Sequence, residues 1–108
     1  MEIKEIIITE HALQTVRDEF EYLKETVSID YAHKFRDDFP AQVETILPFY
    51  LKYSECRFLA TSNKIYRNII WGSYLIIFKI LERKILVLGI FHTRQNSKKI
   101  KSFRRIKK

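Results

Sequence analysis

Residues 66–94, YRNIIWGSYLIIFKILERKILVLGIFHTR, decide how this chain is to be read. Three apolar runs, Ile65 to Trp71, Tyr74 to Leu81 and Lys84 to His92, are separated by Gly72-Ser73 and Glu82-Arg83. Runs of this length rich in Ile, Val and aromatic residues are strands. Glycine at the first central position of a two-residue turn permits the type II′ geometry that matches strand twist, so Gly72-Ser73 predicts a tight hairpin. Glu82-Arg83 is accepted as the second turn because it divides two runs of matching length. With two-residue turns, paired positions share a face. Arg67 then lies with Phe78 and Val87, and Tyr66 lies with Lys79 and Leu86. Ile69, Ile76, Phe78, Ile80, Ile85 and Val87 form a nearly pure hydrocarbon face, the floor for a helical layer. The opposite face is mixed: Tyr66, Asn68, Lys79 and, by strict alternation, His92 border an open surface. Arg67 is expected on the helix side near an edge, paired with an acidic helix residue.

Upstream, Ile3, Ile6, Ile7 and Ile8 form a short β-branched run ending at Thr9, a good N-cap followed by Glu10. Ala12, Leu13, Val16, Phe20, Leu23 and Val27 recur at helical spacing, with Asp18, Glu19, Glu21 and Lys24 between them. Ser28 caps a second helix whose stripe is Ala32, Phe35, Phe39, Val43, Ile46 and Leu47; Pro40 should kink it and Pro48 end it. The very short connection predicts an antiparallel helical hairpin. From Pro48 to Lys64 periodicity is lost, and Phe49, Tyr50, Tyr53 and Phe58 are expected to tuck under the sheet edge. The sum is one domain over residues 1–108, α+β, in the order β-α-α-β-β-β. A helical hairpin packs on one face of a small curved antiparallel sheet, with a basic tail over 97–108 that frays, forms a helix or adds an edge strand.

Charge divides the chain as clearly as periodicity does. Residues 66–108 hold 12 Lys and Arg against Glu82 alone, whereas residues 1–65 hold 8 against 12 acids, so a net −4 is followed by +11. Clustered cations concentrate polyanions and speed their arrival, so an anionic partner is expected at the basic half. The tail SKKIKSFRRIKK carries seven cations without an acid; a solubilising extension and a contact surface are both open readings of it. No apolar run approaches the ~20 residues that span a bilayer, and the N-terminus lacks the features of a secretory signal. One cysteine, Cys56, permits no internal disulfide and reads as an apolar filler in a reducing compartment.

HExxH, GxGxxG, P-loop, CxxC and GxSxG patterns are absent, leaving metal, nucleotide and triad chemistry without motif support and no cofactor implied. A ribonuclease using 2′-hydroxyl attack needs a base, an acid and cations on one phosphate; Arg67, Lys79, His92 and Arg94 are the candidates. Each has a plainer reading: His92 as a strand-end histidine bonded to backbone, Lys79 as a snorkelling edge cation. His11 and His33 fall among polar helix positions and read as solvated.

The element order, together with Tyr66-Arg67-Asn68-Ile69, Gly72-Ser73-Tyr74 and Val87-Leu88-Gly89-Ile90-Phe91-His92-Thr93-Arg94, resembles the RelE/ParE superfamily of type II toxin-antitoxin toxins. The ending resembles the ParE, or plasmid-stabilisation, branch. The resemblance implies a cytoplasmic, growth-inhibiting toxin neutralised by a cognate antitoxin. In the ParE-like reading it poisons DNA gyrase and has no known catalytic residues; in the RelE-like alternative it cuts mRNA on the ribosome with Arg, Lys and Tyr side chains. Arg67 matches the RelE phosphate position, but no tyrosine follows Tyr74, and Gln95 and Asn96 stand where ParE-like chains often carry Arg and an acid. The ParE-like target is therefore the expected one, with Arg94, Lys98, Lys99, Lys101, Arg104 and Arg105 as its contact set. A homodimer is compatible with this reading, and a basic nucleic-acid-binding module is the alternative from outside the family.

Overall fold

A computed structural model describes residues 4–95 and 97–106, with the side chains of 97–99 outside the description. The expected α+β order is observed. Strand β1 (Glu5–Ile8) leads into α1 (Glu10–Thr26) and α2 (Ile29–Glu44). A short α3 (Ile46–Phe49) and a 3₁₀ turn (Arg57–Leu59) follow, then β2 (Tyr66–Trp71), β3 (Tyr74–Ile80), β4 (Lys84–His92) and a C-terminal 3₁₀ helix (Ser97–Arg105). The sheet order is β1-β4-β3-β2. The β2-β3-β4 meander is antiparallel as the sequence predicts, while β1 pairs parallel with β4, making the whole sheet mixed.

Local chemistry accounts for these elements. Thr9 ends β1 by donating its N–H to Val87 O, and its Oγ1 caps α1 by accepting from Ala12 N at 3.1 Å. That hydroxyl also donates to Val87 O at 2.8 Å. Beyond the end of β1, His11 Nδ1 bonds Leu88 O at 2.9 Å and Thr15 Oγ1 accepts from Ile90 N at 3.1 Å. Side chains of α1 thus satisfy the edge of β4 where β1 has run out, as buried backbone polar groups require. His11, expected as solvated, is half-buried in this role, with its ring edge 4.9 Å from Phe103. Ser28 caps α2 at Tyr31 N, and α2 runs through Pro40 as one element. Pro48 lies within α3, which ends one residue later.

Both hairpins follow the sequence. Trp71 faces Tyr74 across Gly72, whose φ is +60°, and Leu81 N donates to Lys84 O around Glu82-Arg83. The pairing Phe78↔Val87, Lys79↔Leu86 is the expected one, but Ile77 then faces Gly89, leaving Leu88 as an extra residue on β4. This bulge inverts the alternation beyond it. Ile85, Val87 and Ile90 face the helices, whereas Leu86, Leu88 and Phe91 face away. His92, opposite Tyr74, therefore lies on the helical face, not beside Lys79 as strict alternation predicts.

Two apolar cores result. Phe35, Phe39, Ile76, Phe78 and Val87 share the core beneath the hairpin, with Phe20 packed at its margin. Leu13, Val27 and Leu47, assigned to the buried stripes, are exposed, as is Phe49 from the crossing segment. The second face, expected to be open, is largely covered: Tyr66, Ile77, Leu86, Leu88 and Phe91 pack with Cys56, Leu59, Ile100 and Phe103. The tail achieves this by its period. Ile100, Phe103 and Ile106 recur every three residues, and in a helix of three residues per turn such positions eclipse, so one apolar stripe docks while Lys101, Arg104 and Arg105 face outward. Cys56 is wholly buried in this core, and burial pushes its thiol pKa up, in keeping with a filler.

Candidate functional site

On α1, Ala12, Val16, Glu19 and Leu23 are the buried positions, at spacings of four, three and four, so Glu19 occupies the core line rather than the polar face. A carboxylate held there requires partners. Tyr74 Oη donates to Glu19 Oε2 at 2.6 Å, and Arg94 donates from Nη1 to Oε2 at 3.1 Å and from Nη2 to Oε1 at 2.7 Å. The bidentate fork is the geometry in which arginine binds carboxylate most strongly. The Arg94 guanidinium also lies 4.0 Å over the Tyr22 ring and stays 33% exposed, against 9% for the Glu19 side chain. Burial and the bond to Glu19 push the Tyr74 hydroxyl far above the ordinary tyrosine range. Tyr74 is fixed as a donor.

His92 completes the group. Its Nδ1 accepts from Arg94 N at 2.9 Å, its own N–H donates to Gln95 Oε1, and its ring stands edge-on to Tyr74 at 4.9 Å. Burial and then the Arg94 charge lower its pKa, with Glu19 opposing. Accepting at Nδ1 puts the ring's proton on Nε2, and the lowered pKa favours that uncharged form. This is the strand-end histidine bonded to backbone, and a ring whose Nδ1 is taken up by the Arg94 N–H is poorly placed as a general acid.

Beside this group a groove of about 710 Å³ runs between the hairpin and the β2-β3 turn, lined by Tyr22, Val27, Tyr31, Phe35, Trp71 and Tyr74 among others. Phe35 stacks on Trp71 at 5.1 Å and meets Tyr74 at the same distance, making a rigid aromatic floor. Lys34 and Asp38, paired at 2.8 Å, stand on its rim. Among the described residues no group of His, Cys, Asp and Glu is arranged to hold a metal ion.

The four catalytic candidates do not converge. Arg67 is not paired with a helix acid: its guanidinium donates to Leu51 O (2.8 Å), Tyr53 O (3.0 Å) and Lys64 O (3.2 Å), binding the crossing segment to β2. Lys79 lies on the opposite face, its Nζ 5.4 Å over the Tyr66 ring. Only His92 and Arg94 meet. The proposed contact set is also divided: Arg94 serves Glu19, whereas Lys101, Arg104 and Arg105 are exposed on the C-terminal 3₁₀ helix, with Arg104 donating to Ala60 O at 3.1 Å. The side chains of Lys98 and Lys99 lie outside the described residues.

Residues 6–97 match the family described as the ParE toxin of the type II toxin-antitoxin system, parDE. The chain belongs to the ParE toxin family. Its fold is shared with a solved structure titled "Chromosomal ParDE TA system from P. aeruginosa", at a TM-score of 0.69 and 14% identity. That alignment covers 83% of this chain and 96% of the other. No curated protein matches the chain by sequence. Of the residues grouped around Arg94 in this ParE-family chain, Glu19 and Tyr74 were not candidates from sequence, and for Glu19 its place on the 12-16-19-23 line was the available signal.

Proposed function

We propose that this ParE-family chain is the toxin of a two-gene module, that it arrests growth by binding DNA gyrase, and that a cognate antitoxin neutralises it. The observation that carries the binding reading over RNA cleavage is the dispersal of the candidate groups. Arg67 is committed to three carbonyls, Lys79 is on the far face, and His92 is a neutral acceptor. Tyr74 keeps its proton and donates its hydroxyl hydrogen bond to Glu19. A phosphate placed at His92 would meet one guanidinium that is already bound bidentately to a carboxylate.

The aromatic groove supports an antitoxin contact. Tyr22, Val27, Ile29 and Tyr31 expose apolar surface around the hairpin tip, beside the floor of Phe35 and Trp71. Contiguous exposed apolar surface rimmed by charge is characteristic of protein interaction sites. The exposed cations of the C-terminal 3₁₀ helix are the contact we assign to the anionic target, gyrase with its DNA. No helix among the described residues is long and apolar enough to cross a membrane, and we assign the toxin to the cytoplasm. The test is induced expression in a bacterial host, alone and with the adjacent gene. Growth arrest relieved by the neighbour supports the reading; harmless expression with no binding by the neighbour's product overturns it.

A further inference from the structure

Strand β2 is one of the two outer strands of the sheet, and half of its outer edge is taken. Cys56 N donates to Tyr66 O at 2.8 Å, Asn68 N donates to Ser54 O at 3.1 Å, and Glu55 bridges Arg67 antiparallel. Backbone groups of alternate residues point to the same side of a strand, so the outward set is Tyr66, Asn68 and Ile70. The segment 54–56 bonds the C=O of the first of these and the N–H of the second. The C=O of Asn68 and both backbone groups of Ile70 face outward past the end of that cover. Edge strands are commonly blunted by Lys, Pro or a bulge. This half-edge has none of these and instead shows Ile70 at 75% exposure, the most exposed large apolar residue described.

Ile70 also forms one wall of a groove of about 530 Å³ on the second face, where the C-terminal 3₁₀ helix leaves the sheet uncovered. Leu75, Phe91 and Phe58 supply its other apolar walls. At its border Glu55 is committed to Thr61 N at 3.0 Å, while Arg57 lies exposed, 4.9 Å over the Phe58 ring. The turn that carries Arg57 packs against the 3₁₀ helix bearing Lys101, Arg104 and Arg105. Unpaired strand groups beside an apolar socket and a cationic margin are what strand addition requires: main-chain bonds for affinity, a pocket for alternate side chains, and charge for selection.

We infer that the free half of β2, from Asn68 to Trp71, accepts an extended acidic segment of the antitoxin as an added strand, with one apolar side chain seated against Ile70, Leu75 and Phe91. This rests on the antitoxin reading above. A second copy of the chain is the poorer occupant, because edge-to-edge pairing would oppose two basic halves in a protein of net charge +7.

The test uses the purified chain and a nine-residue peptide alternating glutamate with valine. A lysine-for-glutamate version and a version N-methylated at alternate residues are the controls. The one tryptophan, Trp71, sits on the strand concerned and reports by fluorescence, and the Ile70 amide reports by NMR. Saturable binding of the acidic peptide is expected, weakened at least about tenfold by N-methylation and by Ile70→Asp. Ile70→Pro, which removes only an outward donor on an edge strand, should act likewise without loss of fold. Equal binding of all three peptides, or none, overturns the inference. Self-association of the free chain that Ile70→Asp abolishes overturns the assigned occupant. In the full toxin-antitoxin complex, an Ile70 amide that exchanges as fast as in the free chain defeats strand addition while leaving the toxin reading intact. Strand addition by the peptide in a chain that is harmless to its host defeats the toxin reading instead.

Discussion

Replacing Tyr74 with phenylalanine removes one hydroxyl from the Glu19-Tyr74-Arg94 group and leaves the ring that packs on Phe35 and Trp71. The lost bond is 2.6 Å long, buried, and made to a carboxylate. Bonds to charged groups contribute about 1.5–3 kcal/mol. Glu19 keeps its bidentate arginine, so the cost should fall within that range and not reach the value for an unpaired buried charge. With about 2.1 cal/mol/K of unfolding entropy per residue over 108 residues, the Tm should drop by about 7–13 °C. The same bond gives a pH signature. The folded-state pKa of Tyr74 is raised above its unfolded value, so its stabilisation is fully present below about pH 10 and is lost as pH rises, by about 1.4 kcal/mol per unit. Urea denaturation of both proteins from pH 7 to 12 therefore has a defined outcome: the wild-type advantage persists to about pH 10 and disappears by about pH 11–12. A difference under about 0.5 kcal/mol at pH 7 that stays constant to pH 12 would refute the buried hydrogen bond and the fixed donor role of Tyr74.

Truncating Phe78, fully buried between sheet and hairpin, to alanine should cost about 3–5 kcal/mol, and chemical denaturation reads it directly. Gly89→Ala places a methyl 3.2 Å from the Phe103 ring and 3.3 Å from His11 Nδ1. It should destabilise by about 1–3 kcal/mol and increase proteolysis of the C-terminal 3₁₀ helix ahead of the rest of the chain. The pKa of His92 is lowered in the folded state, so its contribution is lost as pH falls through the ordinary histidine range near 6.5, where the unfolded chain takes up a proton first. His92→Gln should flatten stability between pH 7 and 5 in thermal melts while growth arrest is retained. Neutralising Lys101, Arg104 and Arg105 together should reduce the salt slope of polyanion binding by about one unit per cation and leave the melting temperature nearly unchanged.

The parts of this fold that follow from repeating patterns were legible in the sequence. Helix caps at Thr9 and Ser28, the Gly72-Ser73 hairpin and the hydrocarbon face under the helices all rest on short-range chemistry that a single chain displays. The face of His92 did not follow, because residues 85–91 are apolar throughout and contain no alternation to mark a slipped register. Gly89 within that run was the one local sign of a bulge. Glu19 was read as polar surface because its neighbours Asp18 and Glu21 are; its spacing from Val16 and Leu23 carried the contrary information. Arg67 was assigned an acidic partner, yet the crossing segment presented three carbonyls instead, an arrangement that depends on how an aperiodic stretch closes in space. The tail's three-residue apolar period was present in the sequence, and its cations concealed a docking stripe.

The proposed gyrase target and the RNA-cleaving alternative separate in one experiment on this ParE-family chain. The direct measurement is DNA supercoiling by purified gyrase with increasing amounts of the purified chain, run beside cleavage of ribosome-bound mRNA by the same preparation. Loss of supercoiling, equally strong with His92→Gln, with the mRNA left intact, is the expected result. Unchanged supercoiling together with mRNA cleavage that His92→Gln or Arg67→Ala abolishes would contradict the account.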